Sequence, residues 1–240
     1  MNAHVLAAGG PTIDWYLTRS TGAVALLLLT LAVALGVADV RRAQTERLPR
    51  FVVGALHRNV SLLALAFLVV HILTSVLDGF ASISIVDAVV PFVGSYRPFW
   101  LGLGAVAFDL FLAVILTSLV RARIGYEGWR AVHWLAYASW PIALLHGFGT
   151  GSDAKAAWLQ VLTVICVALV LVAMVARVAS GWPASRVLRG AVLGGTGAFV
   201  VFLAVWLPQG PLGREWARRS GTPAALLGQA HGAARAAAGR

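Results

Sequence analysis

Six stretches of this chain, approximately 20–39, 54–77, 99–120, 131–148, 157–176 and 190–207, are long and apolar enough to cross a bilayer, which takes roughly 20 residues as a helix. That pattern predicts an all-α integral membrane protein, a bundle of six transmembrane helices in contact with lipid. Composition agrees. Of the 240 residues 60% are hydrophobic and only 12% are charged, against about 25% charged in a soluble domain. A disordered protein and a nucleic-acid-binding domain are therefore excluded, despite a formal net charge of +10. Cys166 is the only cysteine and lies in an apolar run, which argues against a disulfide scaffold.

Arginine placement sets the expected orientation. Arg41, Arg42, Arg47, Arg50 and Arg58 follow the first span, Arg121, Arg123 and Arg130 the third, and Arg177, Arg186 and Arg189 the fifth. Apart from the tail 209–240, whose five arginines the three loops outvote, the opposite side carries only Arg19, Arg97 and Lys155, with Asp14, Asp78, Asp87 and Asp153. Six crossings with these loops inside put both termini on the extracytoplasmic side of the cell membrane. No basic cluster precedes the first span, so residues 1–19 read as an N-terminal segment leading into a retained helix rather than a signal peptide. Trp15 and Tyr16 are its interfacial anchor.

Residues 20–208 then form the transmembrane domain, and 209–240, rich in Ala, Gly and Arg, form a loosely ordered basic tail. The outer connection 78–98 contains an apolar stretch too short to cross, expected along the interface or capping the bundle. The small residues of 190–199 lie within a span, where they favour close helix packing over a nucleotide site.

The histidines carry the functional signal. His57 and His71 fall on the second span, and His133 and His146 on the fourth. A titratable group in a bilayer is costly to bury without a partner, so it points to function. The members of each pair stand about 20 Å apart along a helix, too far to share one metal ion. The two spans run in the same direction, so His57 lies at the depth of His133 and His71 at that of His146. Each level thus offers two imidazoles and no third ligand. Structural zinc takes four ligands and catalytic zinc three. Two axial nitrogens suit heme iron, whose other ligands arrive with it, and fit it for electron transfer.

Other residues leave alternatives open. Arg58 and Arg130 near the inner level serve either heme propionates or ordinary positive-inside charge. Arg19 stands out because arginine is scarce on its side, and it is a candidate cofactor-binding residue. Asp109, midway along the third span, accepts from a ligand imidazole, carries protons or braces helix packing. Trp134, Tyr137 and Trp140 line a heme pocket or simply pack.

The spacings His-x13-His (His57, His71) and His-x12-His (His133, His146), with WYLTRSTG at 15–22 and VHWLAYASWPIALLHGFGTGSD at 132–153, resemble the ferric reductase-like transmembrane domain over roughly residues 15–180. That superfamily includes ferric reductases, NADPH oxidases and the heme membrane subunit of a periplasmic methionine sulfoxide reductase system; the flanking motifs look like those of small actinobacterial members. The resemblance implies two heme b groups passing electrons outward, the inner held by His57 and His133 and the outer by His71 and His146. The larger members continue into an FAD- and NAD(P)H-binding region, of which this sequence has no counterpart. The expected donor is therefore separate, either membrane quinol or a cytoplasmic flavoprotein. The expected acceptor is ferric iron or an extracytoplasmic flavin-binding or reductase partner. A competing expectation is a transporter that conducts protons or metal ions through Asp109 and the histidines. A third is a structural or sensory subunit whose histidines only pack.

Overall fold

The computed structural model describes residues 12–40, 49–181 and 183–228, and among these it is helical without a strand. The elements are α1 (Ile13–Val40), α2 (Arg50–Leu77), α3 (Ile85–Val89), α4 (Pro98–Leu119), α5 (Arg121–His133), α6 (Leu135–Thr150), α7 (Ala157–Ala179), α8 (Arg186–Gln209) and α9 (Trp216–Arg219). Five of the described helices, α1, α2, α4, α7 and α8, are long and apolar enough to span a membrane. The chain is a multi-pass membrane protein.

The expected fourth span, 131–148, is not one unbroken helix. A turn at Trp134 separates α5 from α6, and α6 has 16 residues, about 24 Å at 1.5 Å per residue. Pro141 lies inside α6 without ending it; the break falls one residue after His133. Farther back, Gly125 takes φ +76° and kinks α5, a conformation that costs glycine nothing sterically.

The bundle is built from two antiparallel pairs. α1 packs along the length of α2, and α4 along α6, while α1 also touches α6 and α7. α2 and α6, which carry the histidines, are not among the helices that pack extensively on each other. Between the pairs lies a core of Leu28, Leu29, Ala64, Phe111, Trp140 and Leu144. Its polar groups are matched: the Trp140 indole donates to Thr30 Oγ1 at 2.8 Å, and that hydroxyl donates to the Leu26 carbonyl at 2.8 Å. An indole buried without such an acceptor costs about 1–3 kcal/mol. Outward faces of α2, α7 and α8 expose Leu63, Leu73, Val164, Val172, Val201 and Phe202, as lipid contact requires.

One end of the bundle is capped. The connection after α2 forms α3, where the Asp87 carboxylate accepts from the Ser84 N–H at 2.8 Å and from its hydroxyl at 3.0 Å. Phe92 then fills the space over Gly102. Residues 210–228, expected as part of a loose tail, instead fold back over this end; 229–240 lie outside the described residues. The Trp100 ring stacks on Trp206 at 5.0 Å and meets Trp216 at 5.2 Å, and the Trp216 indole donates to the Gly149 carbonyl at 3.2 Å. Arg97 ties the cap down from a left-handed conformation at the N-terminus of α4. Its side chain is buried and donates to the carbonyls of Gly149 and Thr150, each at 3.0 Å, and to Thr222 Oγ1 at 2.9 Å. Its backbone N–H donates to the Gly221 carbonyl at 3.1 Å. Burial lowers the Arg97 pKa from its usual value, opposed by the neighbouring Tyr96.

Candidate functional site: two facing histidine pairs

The four helical histidines meet as two pairs. The ring centroids of His57 and His133 stand 6.1 Å apart with planes at 68°, and those of His71 and His146 stand 6.3 Å apart at 87°. The pairing by depth expected from the sequence is the pairing found. The two separations agree to 0.2 Å even though His133 and His146 belong to different helices.

Three of the rings are fixed from behind by a backbone carbonyl. His71 Nδ1 lies 2.8 Å from the Thr18 oxygen, His57 Nδ1 2.9 Å from that of Ala32, and His146 Nδ1 3.0 Å from that of Trp100. A carbonyl can only accept, so Nδ1 carries the proton in each ring. Nε2 is then left with a lone pair, and the hydrogen bond raises its basicity as a ligand.

The same helices supply a gap for each ring. A Cβ at Gly22 would lie 2.9 Å from His71 Cε1, one at Gly36 3.2 Å from His57 Cε1, and one at Gly104 2.5 Å from His146 Cε1. In every case the glycine follows the accepting residue by four: Thr18 and Gly22, Ala32 and Gly36, Trp100 and Gly104. One helical turn brings residue i+4 over the carbonyl of residue i, so only a residue without a side chain leaves that oxygen open to an incoming ring. Each seat is thus a carbonyl and a glycine one turn apart.

His133 lacks this seat. Its Nδ1 is buried with no hydrogen-bond partner, and its ring lies against Trp129 at 4.8 Å. Among the described residues no cluster of three or more His, Cys, Asp or Glu side chains is gathered to hold a bare metal ion.

The remaining candidates divide. Arg19 borders a cavity beside His71 and His146 whose wall also includes Trp15, Phe108 and Trp158. It is already engaged there: its guanidinium pairs with Asp153, donates to Ser152 Oγ at 2.6 Å and covers the Trp15 ring at 3.6 Å. Arg58 and Arg130 are exposed, with Arg130 over Tyr126 at 5.5 Å. Asp109 is half-buried on α4. Trp140 belongs to the core between the two levels, bonded to Thr30.

Sequence reasoning did not find the three glycine seats or the anchoring role of Arg97. One signal for the seats was present: Gly22 and Gly36 are 14 residues apart, as are His57 and His71.

A family model described as "Ferric reductase like transmembrane component" matches residues 21–144, more than half of the chain. Neither a curated protein nor a solved structure matches it.

Proposed function

The chain belongs to the family of ferric reductase-like transmembrane components, and from that premise we propose that it conducts electrons across the cell membrane through two heme b groups. His57 and His133 would hold one, and His71 and His146 the other. The observation that carries this reading is the common separation of the paired rings, 6.1 and 6.3 Å. A metal–imidazole bond of about 2.0 Å on each side, plus about 1.1 Å from nitrogen to ring centre, sets two axial imidazoles about 6.2 Å apart. At the His71–His146 level a direct imidazole–imidazole hydrogen bond is not the alternative, since both Nδ1 protons are already committed to carbonyls and both Nε2 atoms can only accept.

Held between these histidines, heme iron would supply one-electron exchange. The protein's contribution is orientation and exclusion of water. The Thr18, Ala32 and Trp100 carbonyls hold three rings by Nδ1 and leave Nε2 of each with its lone pair. The glycine seats set how deeply those rings sit. Leu29, Ala64, Phe111 and Leu144 fill the space between the levels with apolar atoms. At the His71–His146 end, Arg19 is the propionate partner, sharing its guanidinium with Asp153.

Six crossings complete the reading, with α6 and its flanks as the short one and the arginine-rich connections on the cytoplasmic side. Electrons enter from quinol or a cytoplasmic flavoprotein near His57 and His133. They leave near His71 and His146 to ferric iron or to an extracytoplasmic flavin-binding or reductase partner. The purified protein is expected to show a b-type spectrum and two hemes per chain; a heme-free preparation from heme-replete cells overturns the proposal. Anaerobic reduction by menaquinol, set against NADPH plus cytosol, distinguishes the donors.

A second reading rests on Asp109, a carboxyl midway along a membrane-spanning helix with no hydrogen bond or ion pair among the described residues. It makes the chain a proton- or metal-conducting transporter, and it requires flux into proteoliposomes with no redox donor present.

A further inference from the structure

Three of the four rings are held twice, by their own helix and by a carbonyl of a neighbouring one. His133 is held once. Its Nδ1 is buried without a hydrogen-bond partner, and it ends α5, a helix of 13 residues kinked at Gly125 and stopped by the turn at Trp134. No residue of α5 is buried: Trp129, Val132 and His133 are half-buried and the rest are exposed. A Cβ at Gly125 would meet nothing within 4 Å, so the kink lies in open space. The Trp129 indole ties the helix to α4, donating to Ser118 Oγ at 3.1 Å. One turn before His133, the same indole lies against its ring at 4.8 Å. A segment with so few buried contacts opens at low cost. His57, opposite, belongs to a helix packed along α1 and is fixed to the Ala32 carbonyl at 2.9 Å.

Resting on the heme reading above, we propose that α5 is a hinged arm and His133 an exchangeable ligand, so that the His57–His133 site takes a small neutral π-acceptor, of the carbon monoxide class, in place of His133. A carbonyl on Nδ1 raises the basicity of Nε2 toward a metal. That strengthens three of the four ligands and leaves His133 the weakest. Movement of the arm displaces one ring, while His57 stays on its carbonyl and keeps its hold. In the exchange the bond between iron and His133 Nε2 breaks and one between iron and the entering carbon forms; no electron or proton moves. The His71–His146 site has no such arm. Both of its rings rest on carbonyls, and the helices that carry them, α2 and α6, pack along α1 and α4.

The test is carbon monoxide added to the dithionite-reduced, purified two-heme protein, and the expected result is a shifted Soret band for one heme per chain. His71→Ala, which retains the His57–His133 heme, keeps the response; His57→Ala, which retains the other, loses it. At high carbon monoxide the rate reaches a plateau set by departure of His133. Trp129→Phe keeps the aromatic contact but removes the bond to Ser118. It is expected to raise that plateau about tenfold, as the loss of roughly one hydrogen bond implies, with the reduced spectrum before mixing unchanged. If neither heme takes carbon monoxide, the inference fails while the heme reading stands. A response carried by the His71–His146 heme overturns it equally, as does a plateau that Trp129→Phe leaves in place. A heme-free protein overturns the heme reading itself, and this inference with it.

Discussion

The His71–His146 end holds both of its rings against carbonyls of a neighbouring helix and lies beneath a cap of α3, the C-terminal segment and three tryptophans. The His57–His133 end braces one ring, and its other ring belongs to the last residue of a helix. The pairs nonetheless stand equally far apart. The difference shows that separation and bracing are set independently. Separation comes from how the two antiparallel helix pairs are spaced, whereas bracing depends on whether a carbonyl of the neighbouring helix stands behind the ring.

The largest effect expected is loss of a ligand. His71→Ala and His57→Ala should each remove about one heme of two, read by pyridine hemochrome against protein. Retention of both hemes in either variant would break the equivalence of the ends. Next come the seats. Gly104→Ala puts a methyl 2.5 Å from His146 Cε1, an overpacking worth about 1–3 kcal/mol, and should cost the heme of that end. Gly36→Ala, with 3.2 Å available, should keep both hemes.

Arg97→Ala acts on the cap alone. It removes the bonds to Gly149, Thr150 and Thr222 and should destabilise that end by about 2 kcal/mol. Limited proteolysis within 210–228 in detergent, with the His57–His133 heme spectrum unchanged, is the expected result. The smallest effect is that of Arg19→Gln. An ion pair at the rim of the bundle, its side chains 15% and 27% exposed, contributes on the order of 1 kcal/mol, so the melting temperature should hardly move. A midpoint shift confined to the His71–His146 heme would sharpen the propionate role of Arg19.

The pairing of the histidines was legible in the sequence because helix rise and direction suffice to match depths once the spans are found. The seats were not, because half of each is a backbone oxygen, which has no residue letter. Only the 14-residue interval shared by Gly22/Gly36 and His57/His71 pointed to them. The break at Trp134 was hidden for a different reason. Pro141 is kept inside α6 by the packing around it, and the turn falls at Trp134, a residue with no helix-breaking side chain. In the C-terminal segment, Ala, Gly and Arg obscured an anchoring residue, Trp216, whose partner Trp100 is remote in sequence. Asp109 was legible as an intramembrane carboxyl, and its half-buried position on α4 is what the transporter reading would have to exploit.

The matched 14-residue interval makes α1 a ruler for α2. Inserting one residue between Gly22 and Gly36 would swing one seat about 100° around its helix and strand the ring it serves. The same insertion in α2 would turn the ring away from its seat. Length changes in this hairpin are therefore tolerated only in step, and the two helices should transplant into another bundle as one cassette rather than singly.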